Sequence, residues 1–315
     1  MLNFYKTQDG RLAQVDGLEP GCWVSLVTPT EEELAQVRDA LEIEDEYLRA
    51  ALDEEETSRL EVDEGQTLII ADIPVSEEEN GKMMFTTLPF GIIVTRDNVV
   101  TVSLKPNPIL SDITSGRGCK GVNTALKTRL VLQILLRAAG RYLFDLRQID
   151  KMSSRVEREL YKSLKNKELI QLLTMEKSLV YFTTSLKSTE ATLEKLLRGR
   201  ILKFSEEDQE LLEDVIIEFK QAIEMADIYS SILSGTMDAF ASVISNNLNI
   251  IMKVLTVITI LMTVPNVVFS FYGMNTDLPI FTIPGTSIPS YWLPIVLAVV
   301  FTGVSWLFMK KRNLL

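Results

Sequence analysis

Two apolar stretches limit what this 315-residue chain can fold into: IIMKVLTVITILMTVPNVVFSF from Ile250 to Phe271, and YWLPIVLAVVFTGVSWLFM from Tyr291 to Met309. Each is about as long as a helix needs to cross a hydrocarbon core. The first holds one charge, Lys253, close enough to its start to snorkel to the interface, and the second holds none. Tyr291 and Trp292 open the second span and Trp306 lies near its far end, as interfacial aromatic belts prefer. Two spans make a hairpin. Lys310, Lys311 and Arg312 follow the second span, whereas the 18-residue connection from Gly273 to Ser290 contains no Lys or Arg. By the positive-inside rule the sequence predicts a multi-pass protein of the cytoplasmic membrane with both termini cytosolic and the connection outside. No cleavable signal peptide is expected at the N-terminus.

A plain anchor would be apolar all round, and the first span is not. Asn249, Met252, Thr256, Thr259, Thr263, Asn266 and Ser270 recur at spacings of three and four, so a helix places them in one stripe. Polar groups at membrane depth need partners or water, so the stripe is either glue between helices or the wall of an aqueous pore. Two helices cannot enclose a pore, and the second option therefore demands a ring of identical subunits. Thr302, Gly303 and Ser305 give the second span fewer polar groups, which reads as the outer, lipid-facing helix. Pro265 is expected to kink the inner one.

No proline lies between Pro108 and Pro265, and such a gap asks for long helices. The sequence predicts them at about 123–162, about 165–199, and from about 206 straight into the first span. Gly199 ends the second, and Ser205 with Asp208 three residues later resembles a capping box for the third. Unbroken to Tyr272, that third helix would be a stalk roughly 100 Å long at 1.5 Å per residue. Phe219, Ile223, Ala226, Ser230, Leu233, Met237, Phe240, Ile244, Asn247 and Ile251 alternate spacings of four and three along it. They form a seam for neighbouring helices or, in the upper half, a core stripe against the chain's own preceding helices. Residues 124–200 carry sixteen Lys or Arg against eight acids, while 205–247 carry ten acids against Lys220 alone. The helices can then pack through complementary faces, or the charges can form solvated surface.

The front end, residues 1 to about 120, has a different texture. CWVSLV (22–27), TLIIADIPV (67–75), TTLPFGIIVT (86–95) and NVVTVS (98–103) are short, apolar and β-branched between turn residues, hence strands of a soluble α/β domain. Between the first two lies a helical, acidic stretch, with fifteen Asp or Glu against three Arg over 31–64. Asp53-Glu54-Glu55-Glu56 within it is either solvated surface or a weak site for a hard divalent cation. Gly116-Arg117-Gly118-Cys119-Lys120-Gly121 matches G-x-G-x-x-G, but no strand abuts it and Gly140-Arg141 stand where a ribose-binding acid belongs, so it reads as a linker. Histidine is absent and the two cysteines, Cys22 and Cys119, form no CxxC pair, which discounts His-based catalysis, thiolate zinc clusters and a disulfide framework. The chain is not expected to be an enzyme. A net charge of −11 disfavours nucleic acid and points to a cation as the charged partner.

With two C-terminal spans, a long stalk helix and Tyr272-Gly273-Met274-Asn275 closing the first span, the chain resembles the CorA family of magnesium channels. The likeness is strongest from about residue 205 to the end, including NIIMKVLTVIT before the signature and the basic tail. Gly-Met-Asn alone is a weak tripeptide; at the outer end of the first of two terminal spans it is specific. The resemblance implies an α+β cytosolic domain followed by long stalk helices and a two-helix transmembrane hairpin. It also implies assembly as a homopentameric funnel lined by five first-span helices, without ATP hydrolysis. Its parts would be residues 1–120 (cytosolic α/β domain), 121–248 (helical stalk region) and 249–315 (pore domain), with spans at about 250–272 and 291–309.

The implied function is passive, Mg2+-gated uptake of hydrated Mg2+, with Co2+ and Ni2+ of similar size, and Mg2+ is also the regulatory ligand. The implied partners are these ions, the lipid membrane and further copies of the chain. Mg2+ dehydrates reluctantly, so neutral oxygens that bind its water shell suffice for a filter. Tyr272, Gly273, Met274 and Asn275 would form it, with five Asn275 carboxamides and nearby Gly273 carbonyls accepting from those waters while Met274 packs the turn. Asn249 would form a second polar ring, Met252 with Leu255 a constriction that gates by dewetting, and Asp238, eleven residues before Asn249, a collecting acid on the same face. In the family an acid at the stalk position of Asp214 joins one from the adjacent front domain to bind regulatory Mg2+, which here implies Asp53 or its neighbour Glu54. One turn before Asp53, where the family has another acid, stands Ala50. The outer loop holds Asp277 as its one acid, fewer than relatives carry, so external capture is expected to be weaker. Two alternatives remain open: transport of another divalent ion such as Zn2+, against which the lack of His weighs, and a membrane-anchored scaffold without ion flux.

Overall fold

The computed structural model describes all residues except 64, 80–81, 118–120, 164–165, 200–201, 203, 275–291 and 313–315. The described chain packs as two units, Met1–Met237 and Asp238–Leu315. In the first unit, β1 (Leu2–Gln8), β2 (Arg11–Val15), β3 (Trp23–Val27), β4 (Arg59–Asp63), β5 (Gln66–Glu79), β6 (Lys82–Val94) and β7 (Val99–Ser103) form one sheet in the order β2-β1-β3-β7-β6-β5-β4. β3 and β7 pair in parallel and the other neighbours are antiparallel. A parallel pair at the centre calls for cover on both faces, and its strands are accordingly apolar at nearly every position.

One face carries Val24, Leu26, Leu68, Ile70, Ile93, Val100 and Val102 against Leu34 and Val37 of α1 (Glu31–Leu41) and Tyr47, Leu48 and Ala51 of α2 (Asp45–Ala50) with its C-cap. Thr30 and Glu33 close a capping box on α1. Gly91 lets α2 come close: a side-chain carbon there would lie 2.8 Å from Ala51 Cβ. The opposite face packs against α4 (Lys127–Ser163) and α5 (Asn166–Gly199), preceded by the short α3 (Pro108–Thr114). Phe182 meets Phe85 and Tyr142 edge-on, at centroid distances of 6.3 and 5.1 Å. The strands predicted from 22–27, 67–75, 86–95 and 98–103 are present; β1, β2 and β4 are additional.

The third long helix is α6 (Glu206–Tyr272), and it runs on through Pro265. Ser205 and Asp208 cap each other's amides at its start, as the spacing predicted. Its first stretch belongs to the sheet unit, where Leu212, Val215, Phe219, Ala222, Ile223, Ala226 and Leu233 are buried. The upper half of the seam is therefore core against the chain's own helices: Phe219 lies 6.3 Å from the Tyr142 ring of α4. Charge complementarity is also real here. Arg129 pairs with Glu207 at 2.9 Å, Lys187 with Asp227 at 3.2 Å, and Lys220 with Glu190 and Glu194 at 3.5 and 3.4 Å. In the G-x-G-x-x-G stretch, residues 118–120 lie outside the described residues, and α3 rather than a strand precedes it.

Polar groups tie the sheet to these helices. Tyr142 Oη donates to the Asp72 carbonyl at 3.1 Å, Thr87 and Ser185 hydroxyls meet at 2.8 Å, and Ser58 and Thr189 hydroxyls meet at 3.0 Å beside the Asp72 amide. Burial pushes the Asp72 carboxyl and the Tyr142 phenol up. Asp145 of α4, with its side chain 1% exposed, touches Arg141 at 3.2 Å, yet burial outweighs that cation and pushes its carboxyl up to about 6. Its folded value exceeds the unfolded one, so its contribution to stability is complete below about pH 4 and is lost as pH rises through about 6. The difference is about 3 kcal/mol for a shift of roughly two units.

Asp145→Asn removes that burden. Its thermal midpoint is expected to exceed the wild-type value at pH 7.5 and to exceed it by less at pH 5, as read by paired melts of the detergent-purified protein. Gly91→Ala forces α2 off the sheet and should cost about 1–3 kcal/mol in the same assay.

Candidate functional site

In the second unit, α6 continues to Tyr272 and α7 spans Trp292–Lys311. Both are long and apolar enough to cross a membrane, and they are not core helices, since Met262 is 73% exposed, Val299 67% and Leu307 60%. Apolar surface of that extent has to be covered by lipid or protein. Pro265 and Phe269 of α6 border an apolar recess with Ile295, Ala298, Val299 and Thr302 of α7. Each of those two α6 residues directly precedes a stripe residue, Asn266 or Ser270, and so lies about 100° round the helix from it. The recess flanks the stripe and does not cover it.

Every member of the stripe is exposed on the single chain: Asn249, Met252, Leu255, Thr256, Thr259, Thr263, Asn266 and Ser270, with Asp238 lower on the helix. The threonines have solved their own donor problem. Thr256 donates to the Met252 carbonyl at 2.8 Å, Thr259 to Leu255 at 2.8 Å and Thr263 to Thr259 at 2.7 Å. With the hydrogen turned back into the helix, each hydroxyl presents its remaining lone pairs outward. The three hydroxyls thus form a ladder of neutral acceptors, on a face that also carries the carboxamides of Asn249 and Asn266, the thioether of Met252 and the isobutyl of Leu255.

The helix ends at the signature. Gly273 N donates to the Phe269 carbonyl at 2.9 Å, and a side-chain carbon at 273 would sit 3.2 Å from that oxygen. Glycine therefore lets the last turn close tightly and release the chain. Phe271 and Tyr272 meet edge-on at 5.8 Å, and Met274 is exposed. Asn275, Asp277 and Tyr291 lie outside the described residues.

In the first unit, the acidic segment Asp53–Glu56 is tied at both ends. Ala51 sits on Gly91 on one side, and on the other Ser58 Oγ reaches Thr189 and the Asp72 amide. Asp53 Oδ1 accepts from the Glu55 amide at 3.0 Å, and Glu56 pairs with Arg59. Asp53 and Glu54 are exposed. Ala50, one turn before Asp53, is buried and offers no ligand. Asp214 is exposed on α6 while Leu212 and Val215 beside it are buried, so it points away from the chain's own core. Among the described residues no three His, Cys, Asp or Glu side chains of one chain converge to hold a metal.

Sequence reasoning passed over Lys105. It follows β7 on a connection held by Ser103 Oγ donating to the Lys105 carbonyl at 2.6 Å and Asn107 Nδ2 donating to Ser103 Oγ at 3.0 Å. Its ammonium lies 2.6 Å from Glu77 Oε1, and Glu77 first, with Glu54 further off, holds its pKa above the ordinary lysine value. Gly91, an isolated glycine in an apolar strand, did carry a signal of close approach.

A family model described as CorA-like Mg2+ transporter protein matches residues 19–311. The cobalt/magnesium transport protein CorA of Methanocaldococcus jannaschii is 30% identical over 304 residues, spanning 92% of this chain and 90% of that protein. The complete structure of the CorA magnesium transporter from the same organism superposes with a TM-score of 0.82 at 24% identity, across 99% of this chain and 98% of that one. The full-length CmaX protein gives 0.69 at 18% identity, over 99% and 97%. The ZntB cytoplasmic domain from Vibrio parahaemolyticus gives 0.59 at 12% identity, over 78% of this chain and 97% of that one. The structural likenesses show a shared fold; the match along nearly the whole sequence shows kinship as well, and the chain belongs to the CorA family of Mg2+ transporters.

Proposed function

We propose that this protein is a passive channel for hydrated Mg2+, built as a homopentamer with both termini in the cytosol and closed by cytosolic Mg2+ itself. The observation that carries the reading is the ladder of neutral oxygens along α6, exposed on one chain and leading to Gly273-Met274-Asn275. Five such helices around an axis would surround water with acceptors. A hydrated divalent ion offers outward-pointing water hydrogens, which those acceptors take without stripping the shell.

Asn275 carboxamides, with the carbonyls of Gly273, form the outer filter in this reading, and Tyr272 and Met274 shape its turn. Neutral oxygens hold the ion weakly enough for release, whereas a ring of carboxylates would retain it. Asn249 supplies a second ring, Met252 and Leu255 a constriction that closes by dewetting, and Asp238 gathers cations on the cytosolic side; Asp277 is the one acid of the outer mouth. The membrane potential drives a divalent charge inward, so no chemical energy source is needed.

Regulation uses the charged oxygens. Residues 1–120 serve as the sensing part, 121–248 as the transmitting part and 249–315 as the conducting part. Asp214 of one subunit and Asp53 with Glu54 of the next share a Mg2+ ion, which offsets their mutual repulsion and favours a symmetric, closed stalk. When cytosolic Mg2+ falls, the subunits separate and the constriction wets. The archaeal relative is a cobalt/magnesium transport protein, which supports Co2+ as a second cargo.

Liposomes holding the purified protein should take up Mg2+, with a native mass of five chains. Asn275→Ala should abolish selective uptake while leaving assembly intact; undiminished uptake by this variant would remove the filter assignment, and a monomeric mass with no flux would favour the scaffold reading. Neutralising Asp53 and Asp214 together should raise at least several-fold the Mg2+ needed to close the channel in patch recordings.

A further inference from the structure

We infer that Lys105 is a built-in counter-cation of the Mg2+-sensing loop, which lowers the affinity of that loop for Mg2+ and so sets the concentration at which the channel closes. The inference rests on the regulatory reading of Asp53 and Glu54 given above and adds to it a residue that sets its range. Three geometric facts carry it. The acidic loop cannot drift, because Ala51 is seated on Gly91 beside Val102 and Ser58 is bonded at Thr189 and Asp72. Lys105 leaves β7 three residues after Val102, on a backbone fixed by Ser103 and Asn107 and followed by Pro106. Its ammonium is held by Glu77 at 2.6 Å.

Of the loop's acids, Glu56 is occupied by Arg59, and Glu54 feels Lys105, which leaves Asp53 and Glu55 least compensated. A divalent ion arriving at this loop gains from the carboxylates and is opposed by the fixed positive charge nearby. A unit charge at roughly 8 Å in a water-like dielectric changes the binding of a divalent ion about fivefold. Pinning by Glu77 matters, since a free lysine would either swing onto Asp53 and block it or move into solvent and do nothing. The pair thus keeps the ammonium on Glu77 and off the loop's carboxylates, where it weakens Mg2+ binding without replacing it.

The test uses the full-length protein in proteoliposomes, with MgCl2 as the probe and the Mg2+ concentration for half-closure as the readout. Lys105→Gln should lower that concentration about fivefold, and the gap from wild type should narrow in 0.5 M KCl as screening removes the field. Lys105→Arg should restore the wild-type value. Glu77→Gln, which frees the ammonium toward Glu54, should move it the opposite way, and keeps the inference testable if Lys105→Gln assembles poorly. Should Lys105→Gln leave the value unchanged or raise it while Asp53→Ala abolishes closure by Mg2+, the counter-cation role is wrong and the regulatory site stands. Should Asp53→Ala with Asp214→Asn close at the wild-type concentration, the regulatory site itself falls and the inference falls with it.

Discussion

A polar group in hydrocarbon must find a hydrogen-bond partner, and the chain's use of threonine follows from that rule. Thr256, Thr259 and Thr263 each spend their one donor on a carbonyl four residues back, so these hydroxyls can enter the bilayer with no unsatisfied hydrogen. Thr302 on α7 does the same with the Ala298 carbonyl at 2.7 Å. What these hydroxyls leave on the surface is lone pairs. Such a face tolerates lipid while the chain is inserting and accepts from water once it lines a cavity.

The same protein therefore presents two kinds of oxygen, in two units. On the membrane helix they are neutral and sit among apolar residues; on the sheet unit they are charged and exposed, at Asp53, Glu54 and Asp214. In the proposed reading, the division matches the thermodynamic demands of passage and sensing. Passage needs an ion to leave as readily as it enters, so each contact has to be weak and numerous. Sensing needs occupancy at a set concentration, which calls for a few strong charges whose field can be tuned by a neighbour such as Lys105.

Which parts were legible in the sequence follows from where the information lies. The three long helices announced themselves through the proline gap and through Ser205 and Asp208, whose interaction spans three residues. The strands found were those buried on both faces, continuous runs such as VVTVS. β4 alternates polar with apolar side chains, β1 ends in the polar run Lys6-Thr7-Gln8, and β1 with β2 was missed although Asp9-Gly10, at φ 51° and 76°, is a strong tight-turn pair. The stripe was legible because spacing along one helix needs no tertiary knowledge. Lys105 with Glu77, Ala51 with Gly91 and Ser58 with Thr189 were not, since their partners lie 28, 40 and 131 positions apart and meet only through the sheet.

The start of α6 bears on the proposed use of a divalent ion as a switch. Its cohesion with α4 and α5 comes from the apolar side of the helix, Val215, Phe219, Ala222 and Ala226, because ion pairs as exposed as Lys187 with Asp227 are worth about 0–1 kcal/mol each. Those pairs fix which faces meet. They also use up Lys220, the single cation of residues 205–247, on Glu190 and Glu194 of α5, and leave Glu210, Glu213, Asp214 and Glu224 exposed on the outward side of α6. Copies of the chain brought together along such a surface repel one another until a cation intervenes. A monovalent ion screens that repulsion everywhere to a small degree, whereas one Mg2+ held between two carboxylates reverses it at a single place. In the proposed assembly, the excess of acid along the stalk would make the association of neighbouring subunits depend on the ion that the channel admits.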